Sequence, residues 1–333
     1  MYHPRLYGDF YEMGLKYGKL LYEKANFVVP KISNEKQEFG LASYKILNEF
    51  YPEIIEEIKG FANGIKDSDK NLGAFLLSLG IFDITGQCSV FAFKNRDSTI
   101  IGRNYDMLFE FKKFTESSLI APKNKHAYIS QSDVFIGRSD GINEKGLSIA
   151  MSFVNGTKVQ PGIGFHFIVR KILENCSSTK EAIEIIQTAK VSSANNFLIA
   201  DQFGDIAVVE SAPQKSKIRR PQSKENYLYI TNQFMTKEMK SYDKGGVEWS
   251  KSTERYNRLE EQLKSTKKMD LQRAKEILSD ECVCLDLRKE KFGTIWSIVA
   301  NLNELIIERA ETKPKVKNYK SETRLDWWLN KRN

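Results

Sequence analysis

The chain has 333 residues, of which 41% are hydrophobic and 28% charged, so it can bury a sizeable core and is neither disordered nor fibrous. Its net charge is +8, and its four cysteines and three histidines are too few for a disulfide scaffold or a histidine-rich metal site. The longest apolar run, AFLLSLGIF (74–82), is too short to cross a bilayer. MYHPRLYGDF lacks the basic, apolar and small-residue order of a secretion signal, so a cytoplasmic location without membrane insertion is expected.

The first 85 residues read mostly as helix. FYEMGLKYGKLLYEKA (10–25) puts Met13, Tyr17, Leu20 and Leu21 on one face, and YPEIIEEIKGFANGI (51–65) does the same with Ile54, Ile58, Phe61 and Ile65. Pro52 suits a first helical turn. At Cys88 the period changes. CSVFAF (88–93) and STIIG (98–102), joined by the polar KNRD, read as a hairpin, and HAYIS (126–130), DVFIG (133–137) and LSIAMSF (147–153) read as further strands. DGINEKGLSIA (140–150) carries a glycine-bounded turn.

Helices are expected over 164–176 and from Ser178, whose spacing to Glu181 is that of a capping box. FLIAD (197–201) and IAVVE (206–210) flank the turn QFG, and YLYIT (227–231) is another strand. Helices over 253–263 and 271–278 precede GTIWSIVA and ELIIERA, a closing hairpin around NLN. Hairpin-linked strands imply antiparallel sheets, here two of them with helices outside. The basic excess lies mostly in 212–224 and in the tail 313–333, and both stretches read as solvated. An anion-binding module would use them, but no nucleic-acid module is readable. Cys282 and Cys284, with His3, His126 and His166 as the available histidines, do not complete a metal site, so neither metal nor cofactor is expected.

Cys88 has two readings. One is a small apolar residue at the head of a core strand. The other is a nucleophile, which needs a base. His3 is near the terminus, His126 opens a strand and His166 lies on an apolar helix face, so none is an evident partner. If the peptide bond before Cys88 breaks, the cysteine's own α-amine, with a pKa of about 7.7–8.0, supplies the base. Such a site also needs a charge partner for the amine, a cation near the thiol and oxyanion donors. In GRNYD (102–106), Arg103 and Asp106 lie where the hairpin returns to the start of its first strand. On spacing alone a surface ion pair fits them equally well.

Taken together, these segments resemble the N-terminal nucleophile hydrolases of the choloylglycine hydrolase and acyl-CoA:6-aminopenicillanic acid acyltransferase type, closest to the self-processing branch. GDFYEMGLKYGKLL, the cysteine followed by GRNYD, DGINEKGLSIAMSF, ANNFLIADQFGDIAVVES, YITNQF, STERYNRL and GTIWSIVANLNELIIERA occur in the family's order. The resemblance implies an α+β, four-layer αββα sandwich of two antiparallel sheets, with a helical pro-segment over 1–87 and a catalytic domain over 88–333. It implies Cys88 as nucleophile, Asp106 at the α-amine, Arg103 at the thiolate and Asn232 in the oxyanion hole. Asn195, Ser152 and Arg255 are further polar residues on the substrate side, and Gln87–Cys88 is the self-cleavage bond. Departures are Ser89 where threonine is frequent after the cysteine, a hairpin turn one residue short, and Gln87 where glycine is familiar.

The implied activity is hydrolysis of a linear amide C–N bond in a small acyl-amide through an acyl-enzyme. Acyl transfer to a small amine, or an unprocessed relative without activity, are the alternatives. No nucleic-acid partner is implied, and a homo-oligomer is left open.

Overall fold

A computed structural model describes residues 1–82 and 86–332. The N-terminal region comprises β1 (Arg5–Gly8), α1 (Phe10–Ala25), α2 (Asn34–Phe50), α3 (Pro52–Ile65) and α4 (Asp69–Ser78). Helix α1 starts where the Asp9 side chain accepts the Glu12 N–H at 2.8 Å. Its contact with α3 is made by glycines. A methyl group on Gly14 would run into the Glu57 backbone, and one on Gly60 into that of Tyr11. This close approach sets the buried face as Phe10, Met13, Gly14, Tyr17 and Gly18. Leu20, expected on that face, is turned outward instead.

The chain then forms β2 (Gln87–Lys94), β3 (Thr99–Leu108), β4 (Glu116–Pro122), β5 (Tyr128–Ser132), β6 (Asp140–Asn143) and β7 (Leu147–Phe153). Next come α5 (Phe165–Asn175), α6 (Thr179–Thr188), β8 (Asn195–Asp201), β9 (Ile206–Ala212), β10 (Lys215–Arg219) and β11 (Tyr227–Ile230). The remainder is α7 (Ser252–Ser265), α8 (Leu271–Ser279), β12 (Asp286–Leu287), β13 (Phe292–Asn301), β14 (Ile306–Ala310), β15 (Lys320–Glu322) and α9 (Arg324–Arg332).

One sheet runs β1-β4-β5-β6-β7-β8-β9-β10, and the other β11-β2-β3-β13-β14-β15 with β12 beside β13. Pairing within both is antiparallel except for β1 with β4. The period of two divides each strand between two cores. In β2, Cys88, Val90 and Ala92 face the eight-stranded sheet, while Phe91 and Phe93 face α7 and α8. A third core joins the other face of the large sheet to α5, α6 and the N-terminal helices. The result is four layers, αββα.

The fold agrees with the expected order of elements in outline, adds the unexpected strands β1 and β4, and departs from it further at DVFIG, in the basic stretch and in the tail. DVFIG (133–137) is a turn, not a strand. Ser132 Oγ accepts the Val134 N–H at 3.0 Å and donates to the Gly137 carbonyl at 2.7 Å, and Phe135 sits at φ +57° with its ring against Phe27 and Phe75. Strand β5 accordingly starts and ends later than HAYIS.

The basic stretch 212–224 is not a solvated loop, because it contains edge strand β10. Arg219 there pairs with the buried Glu210 at 2.8 Å, and Lys217 with Glu238 at 2.8 Å. Likewise the hairpin β13–β14 does not close the structure. The tail adds β15 and α9, and Arg324 is buried, donating to Ser117 O at 2.6 Å and to Glu322 at 2.8 Å. Pairing with buried carboxylates makes anchors of Arg219 and Arg324, while Lys217 and most other charges of the two stretches stay exposed, as read. Of the region expected to be helical, residues 83–85 lie outside the described residues. The capping box at Ser178 and Glu181 is formed.

Candidate active site

Two strands build the site. In the β2–β3 register Gln87 faces Asp106, Cys88 faces Tyr105 and Val90 faces Arg103. Alternation then sends Cys88, Arg103 and Tyr105 toward the inter-sheet space, and Gln87, Ser89 and Asp106 toward α7.

On the inner side, Arg103 Nη2 donates to Cys88 Sγ at 3.3 Å. The same guanidinium donates from Nη1 to Ser139 O at 2.6 Å and lies 3.3 Å from Asp140 Oδ2, so its charge is matched although it is fully buried. Asp140 also accepts from the Trp296 indole at 3.4 Å, and Trp296 stacks on Tyr105 with ring centroids 3.9 Å apart. Burial pushes the Cys88 thiol up to about 11; Arg103 and Arg255 oppose this and Asp106 adds to it. At neutral pH the thiol is therefore neutral.

On the outer side, the Cys88 N–H donates to Asn232 Oδ1 at 3.0 Å. Arg255, fully buried on α7, donates to Cys88 O at 2.5 Å, Ser89 Oγ at 3.0 Å, Gln87 Oε1 at 3.4 Å, Asn232 Oδ1 at 2.9 Å and Ser250 O at 2.9 Å. Asp106 accepts from Thr294 Oγ1 at 2.5 Å through Oδ1. Its Oδ2 has no hydrogen-bond partner among the described residues and lies 3.9 Å from Arg255 Nη1. Burial pushes this carboxyl up to about 6, against the pull of Arg255, Thr294 and Arg103.

The thiol opens onto a cavity of about 180 Å³, lined by Cys88, Tyr105, Asp133, Phe153 and Phe165 among others. The structure brings Cys88, Arg103, Asp106, Asn232, Arg255 and Gln87 together. Asn232 presents its oxygen, not its amide N–H, to Cys88, and its Nδ2 donates to Phe153 O at 3.0 Å. Ser152 is adjacent but faces away from the cavity, with its hydroxyl donating to Thr231 O at 2.5 Å. Asn195 donates to Ser193 O and Oγ, within its own turn.

His166 is packed as core between Phe165 and Phe167, and burial lowers its pKa to about 3. Sequence reasoning passed over Thr294, Asp140, Tyr105 and Asp133. Tyr105 lies inside GRNYD and, by strand alternation, on the same face as Arg103, which was a usable signal. All four cysteines are free. No group of three metal-ligating side chains and no helix long and apolar enough to cross a membrane occurs among the described residues.

Two face-to-face sheets between helical layers, with a cysteine at the head of an inner strand, define the N-terminal nucleophile hydrolase class. The chain belongs to the acyl-coenzyme A:6-aminopenicillanic acid acyl-transferase family, whose model matches residues 93–315. That span holds Arg103, Asp106, Asn232 and Arg255, and Cys88 lies just before it. Among solved structures, two variants of the conjugated bile acid hydrolase from Clostridium perfringens are similar, with TM-scores of 0.51 and 0.52. Each is 17% identical and covers 67% of this chain and 89% of its own. An N-acylethanolamine-hydrolyzing acid amidase ortholog from Caenorhabditis elegans has a TM-score of 0.49 at 17% identity, covering 65% of this chain and 93% of its own. At such identities the likeness is one of fold. No curated protein sequence matches the chain.

Proposed function

We propose that the protein is a self-processing cysteine amidase whose nucleophile is Cys88. One observation carries the reading: the same residue has a guanidinium on its thiol and an asparagine oxygen on its nitrogen, from opposite faces of one strand. A packed core cysteine needs neither.

In the first stage Cys88 Sγ bonds to the Gln87 carbonyl carbon and the C–N bond breaks, with the thiol proton ending on the freed nitrogen. Water then cleaves the thioester, leaving a Gln87 carboxylate and the regenerated thiol. The products are chains 1–87 and 88–333. The N-terminal chain stays held through β1 on β4, the Tyr17 hydroxyl donating to Glu116 at 2.9 Å, and Arg170 donating to Glu57 at 2.9 Å.

Cleavage turns one amide N–H into an amine with up to three. Asn232 Oδ1 keeps one, and Asp106 Oδ2, without a hydrogen-bond partner among the described residues, is the acceptor available for another. In the second stage the amine takes the thiol proton, the thiolate attacks the substrate amide carbon, and the amine returns the proton to the leaving nitrogen. Arg103 stabilises the thiolate. For Asn232 to serve the oxyanion, its Nδ2 must leave Phe153 O for the tetrahedral oxygen. Water then releases the acyl group. Where a small amine takes the water's place, the same acyl-enzyme gives transfer, the reaction named in the family's description.

Intact-mass measurement of wild type and Cys88→Ala, with an amidase assay on each, tests the reading. Two fragments meeting at 87/88 and thiol-dependent hydrolysis in wild type alone are expected. A single chain in both, with no amidase activity, overturns it.

A further inference from the structure

The cavity beside Cys88 has one feature that the chemistry at Cys88 does not use. Its described lining is apolar (Met107, Phe111, Met151, Phe153 and Phe165 among them) except for Cys88, Tyr105 and Asp133. Asp133 sits on the turn that replaces the expected strand, directly after β5. Its Oδ2 accepts the Tyr105 hydroxyl at 2.9 Å, while its Oδ1 is buried and has no hydrogen-bond partner among the described residues.

Tyr105 is itself fixed by its stack on Trp296, so the carboxylate is held and does not swing freely. Arg103, the guanidinium across the Tyr105 ring at 5.3 Å, is committed to Asp140, Ser139 O and the thiol. A buried carboxylate oxygen without a donor is costly, and a ligand that brings the donor removes that cost. A ligand that brings a second negative charge adds to it. The volume of about 180 Å³ limits the group taken to roughly the size of a benzene ring, for which an apolar cavity of about 150 Å³ suffices.

We propose that Asp133 is the specificity group of this cavity, and that the amides it selects carry a compact apolar group bearing an ammonium that docks on the Asp133 carboxylate. The proposal rests on the amidase reading for the word substrate, and on the cavity alone for the preference in binding.

The test therefore separates the two. The full-length Cys88→Ala chain is titrated by calorimetry with a matched series of short N-aryl amides ending in an ammonium, a methyl or a carboxylate. The ammonium member should bind about ten- to a hundredfold more tightly than the carboxylate member, the scale of a hydrogen bond to a charged group. Adding Asp133→Asn should bring the ratio to within about threefold. Equal binding, or a preference for the carboxylate, in the Cys88→Ala chain overturns the proposal without requiring the Asp133 variant to fold. Hydrolysis of the same series by wild type reads the other claim. Turnover without ammonium preference sinks the role of Asp133, whereas ammonium-selective binding without any turnover sinks the amidase reading and leaves Asp133 standing.

Discussion

The two faces of the β2–β3 hairpin surround one cysteine with opposite environments. On the inner face the Cys88 thiol has a single strong partner, Arg103, and otherwise meets a cavity and apolar side chains. On the outer face the nitrogen and carbonyl of the same residue are fully engaged by Asn232 and Arg255, backed by Asp106 and Thr294. The difference teaches a division of labour. The outer face fixes where the backbone of residues 87 and 88 lies, and the inner face leaves a cavity beside a group whose position is already determined. Preorganisation of this kind needs a rigid strand and not a loop.

The outer face is broken most completely by removing Arg255. Arg255→Ala leaves Asp106, Cys88 O and Asn232 Oδ1 without their shared buried donor, and a loss of about 3–5 kcal/mol in folding stability is expected. Urea unfolding measures the loss, and intact mass should show the 87/88 bond uncut. Arg255→Lys should recover little, because one ammonium cannot reach the five acceptors that the planar guanidinium spans. Full processing in Arg255→Ala would show that the outer face does not position the bond.

Much of this hairpin was legible in the sequence. Period-two alternation in CSVFAF and the return of GRNYD place Arg103 and Asp106 near Cys88 without any coordinates. The outer partners were not legible from pattern. Asn232 and Arg255 lie 144 and 167 residues from Cys88, and only their likeness to family blocks singled them out. The turn carrying Asp133 was misread because D-V-F-I-G has strand composition. Tertiary packing of Phe135 against the N-terminal aromatic cluster, with the Ser132 turn, overrides that local preference. The charged tail was misread for a related reason. Arg324 appears solvated until Glu322 beside it and Ser117, 207 residues away, are seen to bind it.

The inner face is tested by the thiol's reactivity. With burial holding Cys88 up to about 11, alkylation of the uncut chain by iodoacetamide should be slow at pH 8 and rise about tenfold per pH unit toward that value. In the cleaved chain the adjacent amine should bring the inflection to about 8, so that at pH 8 its thiolate fraction, and with it the rate, is about five hundredfold higher. Peptide-mapped rates for Cys88, followed in wild type and in an uncleaved variant, check this. Equal rates would mean that cleavage does not activate the thiol.

The smallest expected effect is a slope in stability with pH, and it again contrasts the two faces. Burial raises Asp106 on the outer side from 3.8 to about 6, and Asp133 on the inner side by the same path. A carboxyl whose folded pKa lies above its unfolded value keeps its proton longer in the native state. The native state thus binds more protons than the unfolded state between about pH 4 and pH 6, and its stability falls as pH rises through that window. The contribution is complete below about pH 4, lost above about pH 6, and worth about 3 kcal/mol for each residue. Asp106→Asn should make the decline measured by urea unfolding at pH 4.5, 5.5 and 6.5 shallower. In the cleaved chain a new ammonium beside Asp106 favours its ionised form, so the same substitution should change the slope less there than in the uncut chain. An equal change in both forms would place the amine away from Asp106 and leave the outer face with a purely structural role.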